Sequence, residues 1–172
     1  MKRSKQILWI CMSLLIIFSL RGWALHNQAT PLAKRFSSQV ETFEAKYGKG
    51  EKNTRNDQVL LSYRMGEDKK RFLAAGQGYE DWILLNVVID KEEVVEVGVI
   101  YSMESDGYGS YVEEEWFLGR TLLKLDPALE LVKYRKESSN EVVAITGATM
   151  TSQGVVDAIN SCINMKEETE YE

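Results

Sequence analysis

The sequence predicts an α+β fold, a mostly antiparallel sheet flanked by helices, with one N-terminal membrane-anchor helix. Three observations predict it. Apolar residues recur at intervals of three and four only near the two ends of the soluble part, around 32–47 and 155–163. Between them lie short β-branched runs separated by Gly-, Asp- and Glu-containing turns. The single long uncharged apolar run sits in the first 25 residues.

That run begins behind Lys2, Arg3 and Lys5. Residues 7–20 are 14 uncharged residues, roughly 21 Å as a helix and short of the ~30 Å hydrocarbon core. Continued through Arg21 to Leu25 the run has 19 residues, roughly 28 Å, with Arg21 snorkelling beside Trp23 at the far interface. An uncleaved anchor over 1–25 is favoured over a cleaved signal peptide, because Gly22-Trp23-Ala24 is a poor cleavage site. A lipoprotein is disfavoured, because Cys11 stands inside the run behind Trp9 and Ile10. The basic start is held in the cytoplasm, so residues 26–172 form a soluble domain outside the cytoplasmic membrane, in a single-pass topology.

Thr30-Pro31 reads as a helix cap followed by Pro at the first helical position. Leu32, Phe36, Val40, Phe43 and Tyr47 form the apolar stripe of that helix, which Gly48 and Gly50 stop. Residues 49–57 are polar and read as a loop. Residues 59–65 and 71–75 read as strands around a Gly66-Glu67-Asp68 turn. After Gly76-Gln77-Gly78-Tyr79, residues 82–89 form a buried strand, and an acidic turn at 90–93 pairs it with 94–101. This hairpin is expected at the centre of the sheet. Residues 104–111 form a glycine-containing loop, and 113–123 a helix that turns Trp116 and Phe117 inward. The Glu113-Glu114-Glu115 triplet reads as a solvated face, since three adjacent helical residues do not converge on one point. Residues 129–134 and 141–145 read as strands. Thr151 or Ser152 caps a last helix with Val155, Val156, Ile159, Cys162 and Ile163 on one face, and the charged tail from Lys166 is expected to fray.

Composition excludes several function classes. The chain has 172 residues, 44% hydrophobic and 27% charged, so it is neither largely disordered nor polytopic. Two Cys and one His are too few for an iron–sulfur cluster or a tetrahedral zinc site within the chain. His26, at the membrane edge, is the only histidine, which rules out hydrolases with a histidine base. The domain beyond residue 25 holds 17 basic against 26 acidic residues and should repel nucleic acid. Cys162 is alone in that domain, so no internal disulfide is expected.

One segment carries chemistry. Ala144-Ile145-Thr146-Gly147-Ala148-Thr149-Met150-Thr151-Ser152-Gln153-Gly154 joins an apolar strand to a helix. Small residues there admit a bound group, and a helix N-terminus offers unpaired N–H groups that suit a phosphate. Taken alone, hydroxyl residues before a helix are more often caps than an anion site.

The run Thr146-Gly147-Ala148-Thr149-x-Thr151-Ser152 resembles the S/T-G-A-T-x-T-S signature of the FMN-binding domain family. That family includes the G subunit of the Rnf electron-transport complex and the C subunit of the sodium-translocating NADH:quinone oxidoreductase. The resemblance spans about residues 72–165. Gly76-x-Gly78-Tyr79 resembles the family's G-x-G-Y strand, Glu104-Ser105-Asp106-Gly107-Tyr108-Gly109 its E-T-P-G-L-G loop, and Trp116-Phe117-Leu118-Gly119-Arg120 its W/F-x-x-G-K stretch.

The resemblance implies FMN esterified through its phosphate to Thr149, by a dedicated flavin transferase that uses FAD. It implies a cradle of Thr146, Gly147, Ala148, Thr151 and Ser152, with Glu104, Gly107, Tyr108 and Gly109 in the loop beside the ring. The implied protein is an electron-carrier subunit rather than a complete enzyme, bound to other membrane subunits of an Rnf-like ion-translocating complex. A free-standing anchored flavoprotein is the near alternative, and a non-flavinylated binding module of the same fold the distant one. Three departures stand out. Val143 occupies the position of an Asp in the pattern the transferase reads, which favours the distant alternative. Asp106 replaces the loop's Pro. Tyr108 replaces its Leu and is either a ring that stacks on the isoalloxazine or a packed core residue.

Overall fold

The computed structural model describes residues 30–53, 56–125 and 127–168. The anchor expected over 1–25 and the interfacial His26 lie outside the described residues. Among the described residues no helix is long and apolar enough to cross a membrane.

Thr30 caps the first helix, its side chain accepting from the Ala33 N–H at 3.2 Å, with Pro31 at the first position. The apolar stripe is carried by two helices, α1 (Pro31–Arg35) and α2 (Ser37–Tyr47). The break is at Phe36, whose backbone (φ −103°, ψ 32°) leaves the helical region while its ring stays buried. Gly48, at φ 89°, ends α2 in a conformation glycine adopts without strain.

Five strands follow: β1 (Glu51–Lys52), β2 (Val59–Arg64), β3 (Lys69–Gln77), β4 (Trp82–Asp90) and β5 (Glu93–Tyr101). They pair antiparallel in sequence order. The hairpin of 82–101 is therefore not central: β3 occupies the middle and β5 the edge. The burial patterns give the reason. Residues 83–89 of β4 are buried throughout because helices cover both faces of the sheet there, whereas β5 leaves Val95 and Ile100 exposed. Part of the β5 edge is covered. The Val94 N–H donates to the Leu123 carbonyl, the Leu125 N–H donates to the Glu92 carbonyl, and Glu93 bridges to Lys124. The two-residue β1 lies inside the stretch that reads as loop.

One face of the sheet (Leu61, Leu73, Ala75, Leu84) packs on Leu32, Phe36, Val40 and Phe43 of the N-terminal helices. Arg71 is buried on this side. Its guanidinium lies 4.1 Å from the Tyr47 ring centre and donates to Asn86 Oδ1 at 3.1 Å and to the Glu96 carboxylate. The other face (Phe72, Ala74, Ile83, Leu85, Val87, Ile89) packs on Val155, Val156, Ile159, Cys162 and Ile163 of the last helix. That helix, α4 (Thr149–Glu168), runs past Lys166, where the sequence predicts fraying.

Residues 113–123 are not one helix. A 3-10 turn (Gly109–Glu113), a four-residue helix α3 (Glu115–Leu118) and a second 3-10 turn (Gly119–Thr121) replace it, because Glu114 is extended (φ −76°, ψ 138°). Phe117 is fully buried, but Trp116 is 47% exposed under Arg120, so only one of the two rings turns inward. Adjacent helical residues point about 100° apart and cannot share a face. Glu113, Glu114 and Glu115 are exposed. The strands β6 (Glu130–Val132) and β7 (Glu141–Val143) form a separate parallel pair and do not join the main sheet. Asn160 ties the start of β6 to α4 through two hydrogen bonds with the Leu129 backbone, at 3.0 and 2.9 Å.

Candidate functional site

The position of α4 is set by two glycines. A Cβ at Gly76 would stand 1.7 Å from the Gly154 carbonyl oxygen, and a Cβ at Gly154 would stand 2.4 Å from that of Gln77. The helix therefore crosses the end of β3 backbone to backbone, which brings its first turn beside Gly78 and the loop after β5.

Glu104 fastens these pieces. Its carboxylate accepts from the Thr151 hydroxyl at 2.6 Å and from the backbone N–H groups of Glu80 and Asp81 at 3.0 and 3.4 Å. Gly78 and Gly109 leave room for it: a Cβ would lie 2.2 Å from Glu104 Oε1 at Gly78 and 2.9 Å from Glu104 Cβ at Gly109. Gly107 (φ 101°) turns the loop, and the Ser110 N–H closes it on the Ser105 carbonyl at 3.1 Å.

The result is an open cleft of about 500 Å³ lined by Tyr79, Glu104, Ser105, Tyr108, Gly109, Gly147, Ala148, Thr149, Met150 and Thr151. Its size suits a small molecule. A second depression of about 480 Å³ lies at the β4–β5 turn, lined by residues 90–93, Val95 and Lys124, and has neither a ring nor a hydroxyl in its wall.

Seven of the ten predicted site residues share this cleft: Glu104, Tyr108, Gly109, Gly147, Ala148, Thr149 and Thr151. Three do not line it. Gly107 shapes the loop from behind, Thr146 is exposed to one side, and Ser152 is fully buried. Of the remaining lining residues, Ser105 falls in the 104–109 loop expected beside the ring and Met150 at the signature's variable position, while Tyr79, inside the Gly76-x-Gly78-Tyr79 motif, is the one that sequence reasoning did not assign to the site.

The four hydroxyl residues of the signature have different surroundings. Ser152 Oγ accepts from the Ile145 N–H at 3.0 Å and donates to the Ala148 carbonyl at 2.9 Å. Thr151 donates to Glu104. Neither precedes the helix as a cap; both lie within its first turn, because α4 begins at Thr149. Thr149 is exposed in the cleft, and its hydroxyl has no hydrogen-bond partner among the described residues. The backbone N–H groups of Thr149, Met150 and Thr151 also lack protein partners there, as the first donors of a helix do. Gly147 (φ 85°) precedes them with its α-carbon against the Tyr108 ring, where a Cβ would come 2.9 Å from Cδ1. Tyr108 itself is 64% exposed, so it is not a core residue.

These features fit a phosphomonoester: an accessible hydroxyl to esterify, unpaired N–H donors, and a wall without a Cβ. Among the described residues no basic side chain lines the cleft, so the positive field there is that of the helix N-terminus. Away from the cleft, Cys162 is buried, and burial pushes its thiol pKa up, so it is no nucleophile.

The FMN-binding domain family matches residues 78–164, just over half of the chain. A comparison with curated proteins finds no match. Among solved structures the chain is similar to the C subunit of Na(+)-translocating NADH-quinone reductase from Parabacteroides distasonis, at 17% identity and a TM-score of 0.47, covering 63% of this chain and 61% of that one. It is also similar to Shewanella oneidensis NqrC, at 18% identity and a TM-score of 0.46, covering 69% and 72%.

Proposed function

The chain belongs to the FMN-binding domain family, and from that premise we propose that it is an electron-transfer flavoprotein carrying FMN as a phosphoester on Thr149. The observation that carries this reading is the difference among the hydroxyls. Of Thr146, Thr149, Thr151 and Ser152, only Thr149 both lines the cleft and has a hydroxyl with no hydrogen-bond partner among the described residues.

The bound isoalloxazine would supply one- and two-electron chemistry. The chain's own residues bind and orient it. Thr149 fixes the phosphate end. The N–H groups of residues 149–151 hold the phosphodiester's charge, and the helix dipole adds to them. Ser152 holds the corner that presents Thr149, and Glu104 keeps the loop of residues 104–109 against α4. Thr146 and Gly107 act at one remove from the group. A covalent tether keeps the cofactor on the protein where free flavin is dilute, and the open cleft lets a partner approach the ring.

The setting is a membrane-anchored subunit of an Rnf-like redox complex, with the domain outside the cytoplasmic membrane. Its partners are other membrane subunits, and a flavin transferase matures it. The test is mass spectrometry of the Thr149 peptide from the native host, beside in-gel fluorescence of denatured protein and a Thr149→Ala variant. A flavin adduct that disappears in the variant supports the reading. An unmodified peptide from cells that hold the transferase refutes it. Copurification of further redox subunits separates the complex from a free-standing carrier.

Val143 favours a second reading, a non-flavinylated module of the same fold. Its side chain cannot supply the carboxylate of the transferase pattern, and its carbonyl is occupied by Arg120 Nη1 at 3.0 Å. That reading predicts a colourless protein after denaturation and filtration.

A further inference from the structure

We infer that Tyr108 is the platform on which the isoalloxazine stacks, an assignment that rests on the reading of Thr149 as the tether. Tyr108 is 64% exposed, and no other aromatic ring packs on it among the described residues. With Met150 (60% exposed) and Tyr79 in the same cleft, the ring belongs to a group of exposed apolar side chains beside Thr149 rather than standing as a singly exposed residue. The loop is fixed on both sides. Gly109 is buried against Glu104, whose carboxylate is held by three donors, and the Ser110 N–H closes the loop on Ser105.

The ring is also backed. It rests on the α-carbon of Gly147, so even an alanine at that position would meet Cδ1 at 2.9 Å and Cγ at 3.1 Å. The residue two positions after Gly147 is Thr149, and tether and ring line one cleft. Tyr79, 67% exposed, lines the same cleft. A planar ligand tethered at Thr149 meets a pre-placed ring without having to order it, which is the condition under which stacking adds to binding.

Phenol is electron-rich. In van der Waals contact it gives one electron to a photoexcited flavin and takes it back on recombination, with no net reaction. A flavin stacked on Tyr108 is therefore dark in the native protein and bright after denaturation. The stacked geometry exceeds the open one by roughly fivefold for an ordinary aromatic pair, so removing the ring raises native emission by about that factor.

The experiment uses the full chain from its native host and compares wild type with Tyr108→Leu, Tyr108→Phe and Tyr134→Leu. Loading is read on the denatured Thr149 peptide, and stacking on native fluorescence lifetime and flavin-band circular dichroism. Equal loading with a several-fold brighter Tyr108→Leu supports the inference. So does a Tyr108→Phe that keeps the dichroism but gains emission, since phenylalanine stacks yet is hard to oxidise. Tyr134, 88% exposed and outside the cleft, should change nothing. Full loading with the same native lifetime in wild type and Tyr108→Leu overturns the stacking assignment and leaves the tether intact. An unloaded Thr149 in wild type overturns both.

Discussion

Replacing Gly154 by Ala sets two effects of opposite sign against each other, and the geometry decides between them. Ala in a helix interior is favoured over Gly by about 1 kcal/mol. At Gly154, however, the new Cβ would sit 2.4 Å from the Gln77 carbonyl oxygen, 2.7 Å from its carbon and 3.1 Å from the Gly78 nitrogen. All three are main-chain atoms at the end of β3 and cannot rotate away as a side chain could. Relief requires α4 to lift from β3 by roughly 0.6–1 Å, which in a close-packed interior opens gaps around Val155, Ala158 and Ile159. Overpacking of this kind costs about 1–3 kcal/mol, sometimes more. Lifting also lengthens the 2.6 Å hydrogen bond from Thr151 to the Glu104 carboxylate, a contact of the class that contributes about 1.5–3 kcal/mol. Net destabilisation is therefore about 2–4 kcal/mol, and Tm falls by roughly 5–10 °C for a domain of this size. Thermal and urea unfolding of Gly154→Ala measure it, and FMN loading of Thr149 should fall with the displaced helix start. A variant as stable as wild type, or about 1 kcal/mol more stable as propensity alone dictates, would refute the backbone-contact argument.

Other substitutions probe single links. Thr151→Val keeps the shape but removes one of the three donors to Glu104; a loss of about 1–2 kcal/mol by denaturant titration is expected. Phe117→Ala should cost about 3–5 kcal/mol and Trp116→Ala under about 1 kcal/mol, since only the first ring is fully buried; equal losses would contradict the inward–outward assignment. The Tyr63 hydroxyl is buried and has no hydrogen-bond partner among the described residues, and burial, with the Glu44 charge adding to it, pushes its pKa up to about 12. The neutral form is thus favoured in the fold, so this contribution to stability is complete below pH 10 and lost progressively as pH rises from about 10 to 12. Tyr63→Phe should be neutral to about 1 kcal/mol more stable at pH 7 and should flatten the alkaline part of the stability–pH curve.

Much of the fold was legible because its signals are local. Thr30-Pro31 at a helix start, the turn before Lys69 and the β-branched runs each report their own geometry. What escaped depends on partners distant in sequence. Strand order could not be read from the hairpin of residues 82–101, because burial on both faces of β4 comes from helices at opposite ends of the chain. Trp116 and Phe117 look alike as apolar residues, and only the extended backbone at Glu114 decides which ring turns in. The break at Phe36 leaves no mark on the apolar spacing, because the ring stays buried through it.

The site shows the same division more sharply. Its glycines and hydroxyls were visible in the signature, but their different jobs were not, since a hydroxyl's chemistry depends on what takes its proton. Thr151 and Thr149 are one residue type two positions apart at the start of one helix. Glu104, 47 residues upstream of Thr151, engages one of them and leaves the other open to the cleft. The carboxylate can reach Thr151 only because Gly78 and Gly109 have no side chains, and α4 can stand where it does only because Gly76 and Gly154 touch. Four glycines on three segments thus determine which threonine is available. A Gly109→Ala variant, which crowds Glu104 without touching α4, should therefore loosen Thr151 and lower the selectivity of modification for Thr149 over Thr151. Peptide mass spectrometry reads that ratio directly, and selectivity unchanged at full loading would show that Glu104 does not govern the choice.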